Sequence, residues 1–479
     1  MPAIFSHRFD TPLYSGNVYV QTGLFINGAF VDASSRTTID IFNPSTGKVI
    51  TQVSEGTAKD IDLAVAAARN AFNTTWGLKV PGSARGQLLY KLATLMEESL
   101  EELAAIEALD NGTAFGVVKG WVVPFSIGLI KYYAGWADKI SGQVIETDEG
   151  RLTYTRHEPI GVVGQIIPWN APLLMFAMKI APALAAGNTV VIKPSELTPL
   201  SALRVCSLVQ EAGFPPGVLN VVVGTLTGRK IMEAASKSNL KNITLELGGK
   251  SPNIIFNDAD VDQAVSWACH GIFFAQGQIC FAGSRIYVQS GIYDEFLAKF
   301  TIRSKAHKIG DPFGVDSYQG PQISSTQTER VMGYIKSGVD QGAKVHLGGQ
   351  RHGDQDGNFI TPTIFTDTRP DMKIVQEEIF GPVSVVIKFE DQEDVIQQAN
   401  DTIYGLAAAV FTQDISQAFE VGHALKAGTV WVNCYNEVHA AVPFGGFKQS
   451  GIGREYGSYA LEHYVNVKAM HINIKHKMG

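Results

Sequence analysis

The amino-acid sequence predicts an α/β protein of more than one domain. Three observations carry this: 479 residues, a 45% apolar share against 18% charged, and short β-branched runs that alternate with helical patterns from about Arg156 onward. Single cores stop growing at roughly 250 to 300 residues, so a chain this long divides into two or three domains. Its composition suits packed cores and not disorder. Strands that alternate with helices run parallel, because a parallel pair needs a crossover connection.

Taken in order, apolar residues recur at helical spacing over Ile61 to Phe72 and over Arg85 to Leu109. Ser141 to His157 is a polar, strand-like excursion. Strands then read at Val162 to Ile167, Thr189 to Ile192, Leu219 to Val223, Ile243 to Leu247, Ile254 to Phe256, Ser284 to Val288, Val383 to Phe389, Ala407 to Phe411 and Gly428 to Asn433. The tail Gly451 to Met478, centred on Tyr464 to Val467, leaves the rhythm again. Extended segments away from a main sheet pair with another chain or fold back as a hairpin. Homo-oligomerisation is the expectation for both, with a homodimer or homotetramer as the outcome.

A formal charge of -7 with no basic block excludes a nucleic-acid partner, which would need clustered Lys and Arg. Cys206, Cys269, Cys280 and Cys434 are scattered and form no CxxC pair, so they read as free thiols in a reducing compartment, with no metal site. Met1 to Phe30 holds one Arg, one His and one Asp and no long apolar run, which points to a cytoplasmic protein without a membrane partner. The chain shows no internal repeat.

Five motifs carry candidate chemistry. Phe273-Phe274-Ala275-Gln276-Gly277-Gln278-Ile279-Cys280-Phe281 puts a cysteine in a turn punctuated by Gly and Gln, between helix and strand, where sulfur can face a cleft and backbone N–H groups can meet an oxyanion. A lone Cys beside Ile and Phe is more often an inert hydrophobe; the neighbours reverse that prior. Leu245-Glu246-Leu247-Gly248-Gly249-Lys250-Ser251-Pro252 ends a strand on a carboxylate at the sheet edge where α/β proteins bind ligands, and desolvation there suits Glu246 to general base work. Gly161 to Pro172 ends a buried strand at Ile167-Pro168 and presents Trp169 and Asn170, whose amide can donate to a developing oxyanion or merely close the turn. Lys193 and Glu196 offer a cation and an anion suited to ribose hydroxyls, or a surface ion pair of little energy. Glu378 and Phe380 pair a carboxylate with an aromatic ring at a strand entrance, suited to a second ribose and a flat ring, or to ordinary packing.

In this order the motifs resemble the aldehyde dehydrogenase family over nearly the whole chain, from Ile41-Phe42-Asn43-Pro44 to Pro443-Phe444-Gly445-Gly446-Phe447-Lys448-Gln449-Ser450-Gly451. The resemblance implies a Rossmann-like parallel cofactor domain (1-136 and 158-246), an α/β catalytic domain (247-450) and a small β oligomerisation arm (137-157 and 451-479). It implies Cys280 as nucleophile, Glu246 as general base, Asn170 as oxyanion donor and Glu455 as a proton-relay glutamate. NAD is the implied cofactor, beside Ile167, Pro168, Trp169, Lys193, Glu196, Leu247, Gly248, Gln327, Glu378 and Phe380. A carboxylate at 196 favours NAD over NADP, since it would repel a 2′-phosphate. The implied substrate is a small-molecule aldehyde in a pocket of Ala171, Leu174, Met178, Phe274, Ile279, Phe281, Val438 and Phe444. Where relatives often carry large aromatics, Ala171, Met178 and Val438 are smaller or more flexible, so the tunnel is expected to be wide.

One departure from the family pattern is large. After Asn220-Val221-Val222-Val223-Gly224 the family runs through a helix and a phosphate-contacting strand; here Thr225-Leu226-Thr227-Gly228 opens the next helix at once. The missing αβ unit is roughly twenty residues, about one minimal crossover. Val221 to Gly224 is expected to slide into the vacant slot and bring Thr225 to Gly228 to the pyrophosphate; the alternative is a sheet that keeps a gap. That departure leaves open a regulatory relative with a decayed nucleotide site, or a cofactor-independent thiol esterase. Asn466 stands where mitochondrial relatives often have Glu, so their interface salt bridges are not expected.

Overall fold

β-Branched runs bounded by Gly and Pro close into two separate sheets in this computed structural model, which describes residues 2–224, 237–353, 357–475 and 477. The first sheet has five strands in the order Ala29–Val31, Leu24–Ile26, Leu219–Val221, Thr189–Lys193, Val162–Ile166. Its three later strands are parallel, and Leu24–Ile26 joins antiparallel. The second has seven strands in the order Lys344–Leu347, Thr363–Thr366, Val383–Phe389, Arg285–Gln289, Pro252–Ile255, Ala407–Phe411, Thr429–Val432, parallel but for the first. The α/β class is that predicted, and strand ends differ by a residue or two, as they commonly do.

Three expectations are corrected. The pattern over Arg85 to Leu109 is two helices, Gly82–Glu98 and Leu100–Asn111, which meet at Ser99 with φ -100 and ψ 15. Leu245–Glu246 does not extend a parallel sheet; it forms a two-stranded antiparallel ladder with Gly451–Ile452. Leu219–Val221 has not slid into a vacant slot either. It pairs with Thr189–Lys193 on one side and with Phe25 on the other, so both of its edges are taken. The gap falls beyond Val162–Ile166, whose outer edge pairs with no strand among the described residues, and Ile166 is 40% exposed there. The expected turn Thr225 to Gly228 lies outside the described residues.

The two segments read as excursions meet each other. Arg151–Pro159 and Val465–Asn473 form a nine-position antiparallel ladder, and Val144–Ile145 adds a third strand. Residues 115–136 form a helical run with the length and apolarity of a membrane span, yet Val118, Val123, Leu129, Ile130 and Tyr133 are buried against the Gly82–Glu98 and Pro172–Ala185 helices. One hydrophobic core surrounds the five-stranded sheet and runs on to Cys280, Phe444 and Tyr456. A second lies on the seven-stranded sheet, and Phe281 packs against both, so the cysteine sits where the cores join.

Candidate active site

The cysteine loop begins at a helix whose start is firmly set: Asp260 accepts from the N–H groups of Asp262 and Gln263, each at 3.1 Å, ahead of Val261–Phe273. The chain then turns through three left-handed residues, Ala275 (φ 47), Gln276 (φ 60) and Gly277 (φ 70). For each non-glycine that conformation costs about 1–2 kcal/mol. Gly277 has no alternative, since a Cβ there would lie 2.2 Å from the Gly381 carbonyl oxygen. The turn aims Cys280 inward, leaving it 7% exposed just before Arg285–Gln289 begins.

Glu246 arrives on its short ladder, and its carboxyl and the Cys280 thiol each shift the other's ionisation. The residue is half-buried, but its Oε1 is enclosed and without a partner. Desolvation pushes its carboxyl up to about 8, against the Cys280 side chain and the Lys179 charge, with Glu455 and Glu378 adding to the rise. Burial first, then the Glu246 and Glu378 charges, raise the Cys280 thiol well above its ordinary value, while the Phe281 N–H opposes them. Neither group ionises easily while the other is charged. Lys179 and Glu455 form a buried ion pair beside them.

Asn170 follows the strand Val162–Ile166 and precedes Pro172, the first residue of the helix Pro172–Ala185. Its Nδ2 donates to the Gln278 carbonyl at 2.9 Å, two residues ahead of the sulfur. An amide nitrogen carries two protons, so one remains for a ligand. The turn is held from below, where Asn111 Nδ2 donates to the carbonyls of Trp169 (2.8 Å) and Asn170 (3.3 Å), and Glu107 accepts from the Leu173 N–H at 3.2 Å.

Cys280 and Asn170 open into a cavity of about 420 Å³. Ala171, Leu174, Met178, Phe274, Ile279, Phe281, Val438 and Phe444, expected to shape a pocket, all line it. Trp121 joins them, edge-on to Phe274 at 5.5 Å, as does Tyr456, 6.1 Å from Phe444. Pockets of roughly 300–1,000 Å³ hold drug-sized molecules, so this one exceeds the needs of a two-carbon substrate.

Of the residues expected at the cofactor, two line a second cavity and the others are placed by their own contacts. Trp169 and Gln327 line a second cavity of about 590 Å³, with Leu197, Ile323 and Ser324. Phe380 meets Trp169 edge to face at 5.2 Å and has φ 60; Gln327 Nε2 fixes that turn by donating to the Phe380 carbonyl at 2.8 Å. Glu378 accepts from the Gly249 N–H at 3.1 Å, and burial pushes its carboxyl up to about 7. A Cβ on Gly248 would lie 2.2 Å from Glu378 Oε2, so glycine alone permits this approach. Lys193 and Glu196 are paired at 3.4 Å, Ile167 is buried behind Lys193, and Pro168 and Leu247 are exposed. Trp169 and Phe380 offer an aromatic wedge, Glu378 a buried acceptor and Lys193 with Glu196 a charged pair, side chains of the types that bind a nicotinamide dinucleotide.

Sequence reasoning missed Lys179, Asn111, Glu107, Trp121 and Tyr456. Lys179 had a signal: it is the one charge in the apolar helix PLLMFAMKIAPALA. Glu107 and Asn111 stand four apart on the helix LEELAAIEALDN, so they share its face.

Residues 30–226 and 224–470 match the aldehyde dehydrogenase family model in two pieces that meet at the position of the missing unit. An aldehyde dehydrogenase of Agaricus bisporus is 62% identical over 501 positions, spanning all of both chains, and those 501 positions exceed the 479 residues here. The mitochondrial aldehyde dehydrogenase of Rattus norvegicus is 49% identical, over 95% of this chain and 92% of its own. Among solved structures, the NAD+ complex of an aldehyde dehydrogenase from Bacillus cereus superposes with a TM-score of 0.93 at 46% identity, covering 95% of this chain and 97% of that one. With sequence, fold and pocket in agreement, the chain belongs to the aldehyde dehydrogenase family and is an enzyme of aldehyde oxidation.

Proposed function

We propose that this enzyme oxidises medium-sized or bulky aldehydes to carboxylic acids with NAD, through a thiohemiacetal and a thioester on Cys280. The observation that carries this reading is the Cys280 thiol beside Asn170 at the wall of a cavity of about 420 Å³, with the Glu246 charge raising that thiol. The Cys280 proton passes to Glu246 as sulfur adds to the carbonyl carbon, and the C=O pair moves onto oxygen, where Asn170 Nδ2 and the Cys280 N–H donate to it. Bound NAD supplies the two-electron acceptor. As hydride leaves the carbon for that acceptor, the oxyanion pair re-forms C=O and leaves the thioester, and Glu246 hands the Cys280 proton to Glu455 and is a free base again. Glu246 then takes a proton from water, the water oxygen adds to the thioester carbon, and the C–S bond breaks with its pair on sulfur to free the acid. Glu455, paired with Lys179, passes that proton outward.

Lys193 and Glu196 would hold the adenosine ribose and Glu378 the nicotinamide ribose, with Trp169 and Phe380 bracing the ring and Ile167, Pro168, Leu247, Gly248 and Gln327 completing the cleft. The Glu196 carboxylate selects NAD over NADP. A homodimer or homotetramer forms through the three-stranded arm, where Val144 (78% exposed) and Val467 (64%) await a cover, and the enzyme works in the cytoplasm. Following NADH formation with a panel of aldehydes tests this: branched and aromatic aldehydes should turn over with lower KM than acetaldehyde, and no NADH with any of them would refute the reading. The open edge at Val162–Ile166 favours one second reading, ester hydrolysis without cofactor; undiminished activity in NAD-free buffer would select it.

A further inference from the structure

The left-handed run Ala275-Gln276-Gly277 stores strain directly ahead of Cys280, and something must over-determine it. The residues that do so come from a distant segment, 319 to 323. Gln322 is fully buried, and its Nε2 donates to the Gln276 carbonyl at 3.2 Å, on the strained residue itself. The neighbouring Ile323 N–H donates to the Gln278 Oε1 at 3.0 Å. Gln276 in turn donates through Nε2 to the Gly112 carbonyl at 2.9 Å, and a Cβ on Gly320 would lie 1.9 Å from that same oxygen. Three chain segments therefore close on one turn. Ile323 also lines the second cavity, with Ser324 and Gln327, so the latch stands between the cofactor cleft and the thiol.

We propose that Gln322 is a positioning residue that, with the Ile323 N–H, clamps the strained 275–277 turn and so holds Cys280 toward Glu246. This rests on Cys280 being the nucleophile. Gln319 provides the internal control: it is equally buried in the same segment, but its Nε2 donates to the Ile360 carbonyl at 2.6 Å, away from the thiol.

The test uses the full enzyme with Gln322→Ala, Gln319→Ala and Cys280→Ser. Alkylation of Cys280 by iodoacetamide is followed across pH by peptide mass spectrometry, alongside turnover and melting temperature. Released from the clamp, the sulfur gains solvent and moves away from Glu246, so in Gln322→Ala its alkylation midpoint should move to lower pH. Turnover should fall about tenfold, the rate equivalent of one net hydrogen bond, with KM for NAD unchanged. General loosening exposes a buried thiol too, so the discriminating comparison is Gln319→Ala, which loosens the same segment without touching the 275–277 turn. Gln319→Ala should leave the thiol profile in place. If Gln322→Ala does not fold, Gln322→Met keeps the volume, removes the donor and carries the same expectation. An unchanged profile and turnover, or equal shifts in both glutamine variants, would overturn the clamp. Turnover that survives Cys280→Ser would instead sink the nucleophile reading, whatever Gln322 does.

Discussion

The two sides of the active site are built to different standards of closure. On the nucleophile side the seven-stranded sheet is filled, and the loop bearing Cys280 is tied by the buried side chains of Gln276, Gln278 and Gln322. On the cofactor side, among the described residues, the five-stranded sheet stops at Val162–Ile166 and Leu245–Glu246 pairs only with Gly451–Ile452. Cys280 and Asn170 nevertheless line one cavity, and the Glu246 charge acts on the Cys280 thiol. Glu246 does not need the parallel sheet to reach Cys280, because the antiparallel ladder places it there. Side chains fixed by their own local hydrogen bonds can outlast a lost αβ unit.

Several substitutions would break or sharpen this contrast. The largest effect is expected at the intact side: Asn170→Ala should cost about a hundredfold to a thousandfold in kcat, the usual loss for one oxyanion donor, with the melting temperature little changed. Activity within twofold of the parent would remove Asn170 from the reaction. Next is pH. Since the Glu246 carboxyl is pushed up to about 8, it is protonated and idle as a base at lower pH. Turnover should therefore rise about tenfold per unit as pH approaches 8 and then level, whereas Glu246→Gln should lose that limb. A limb near the ordinary carboxyl range would mean that Glu246 is solvated. The smallest effect belongs to the open side: restoring an αβ unit after Gly224 should tighten NAD binding by about tenfold, as a helix N-terminus does for an anion, and leave Cys280 alkylation unchanged. Titration calorimetry reads the first and peptide mass spectrometry the second.

Most of the α/β alternation was legible because parallel strands buried on both faces read as short continuous apolar runs, as Ala407–Phe411 does. Part of the pocket was legible, where its lining lies close to Asn170, Cys280 and Phe444 in the chain, but the wall between Glu107 and Val122 was not. What the sequence hid was pairing. Nothing in Leu245–Glu246 says that its partner is Gly451–Ile452, some two hundred residues away, and nothing in Val221 says that Phe25 already fills its free side. The sliding of Val221 to Gly224 was expected from the cost of unpaired backbone, but strand register obeys the neighbours already in place. Asn111 and Glu107 escaped notice for a similar reason, because a polar residue on an apolar helix shows its purpose only once the carbonyl or N–H it serves is known.

The central proposal, covalent chemistry at Cys280 with Glu246 as the base that ends it, is tested most directly by intact-protein and peptide mass spectrometry of Glu246→Gln mixed with excess benzaldehyde and NAD. A base that cannot activate water should leave the thioester standing, so the chain should gain one acyl group, mapped to Cys280, in near-stoichiometric yield. The parent enzyme should show almost none. No acyl adduct in the variant while NADH still forms, or an adduct on a residue other than Cys280, would contradict it.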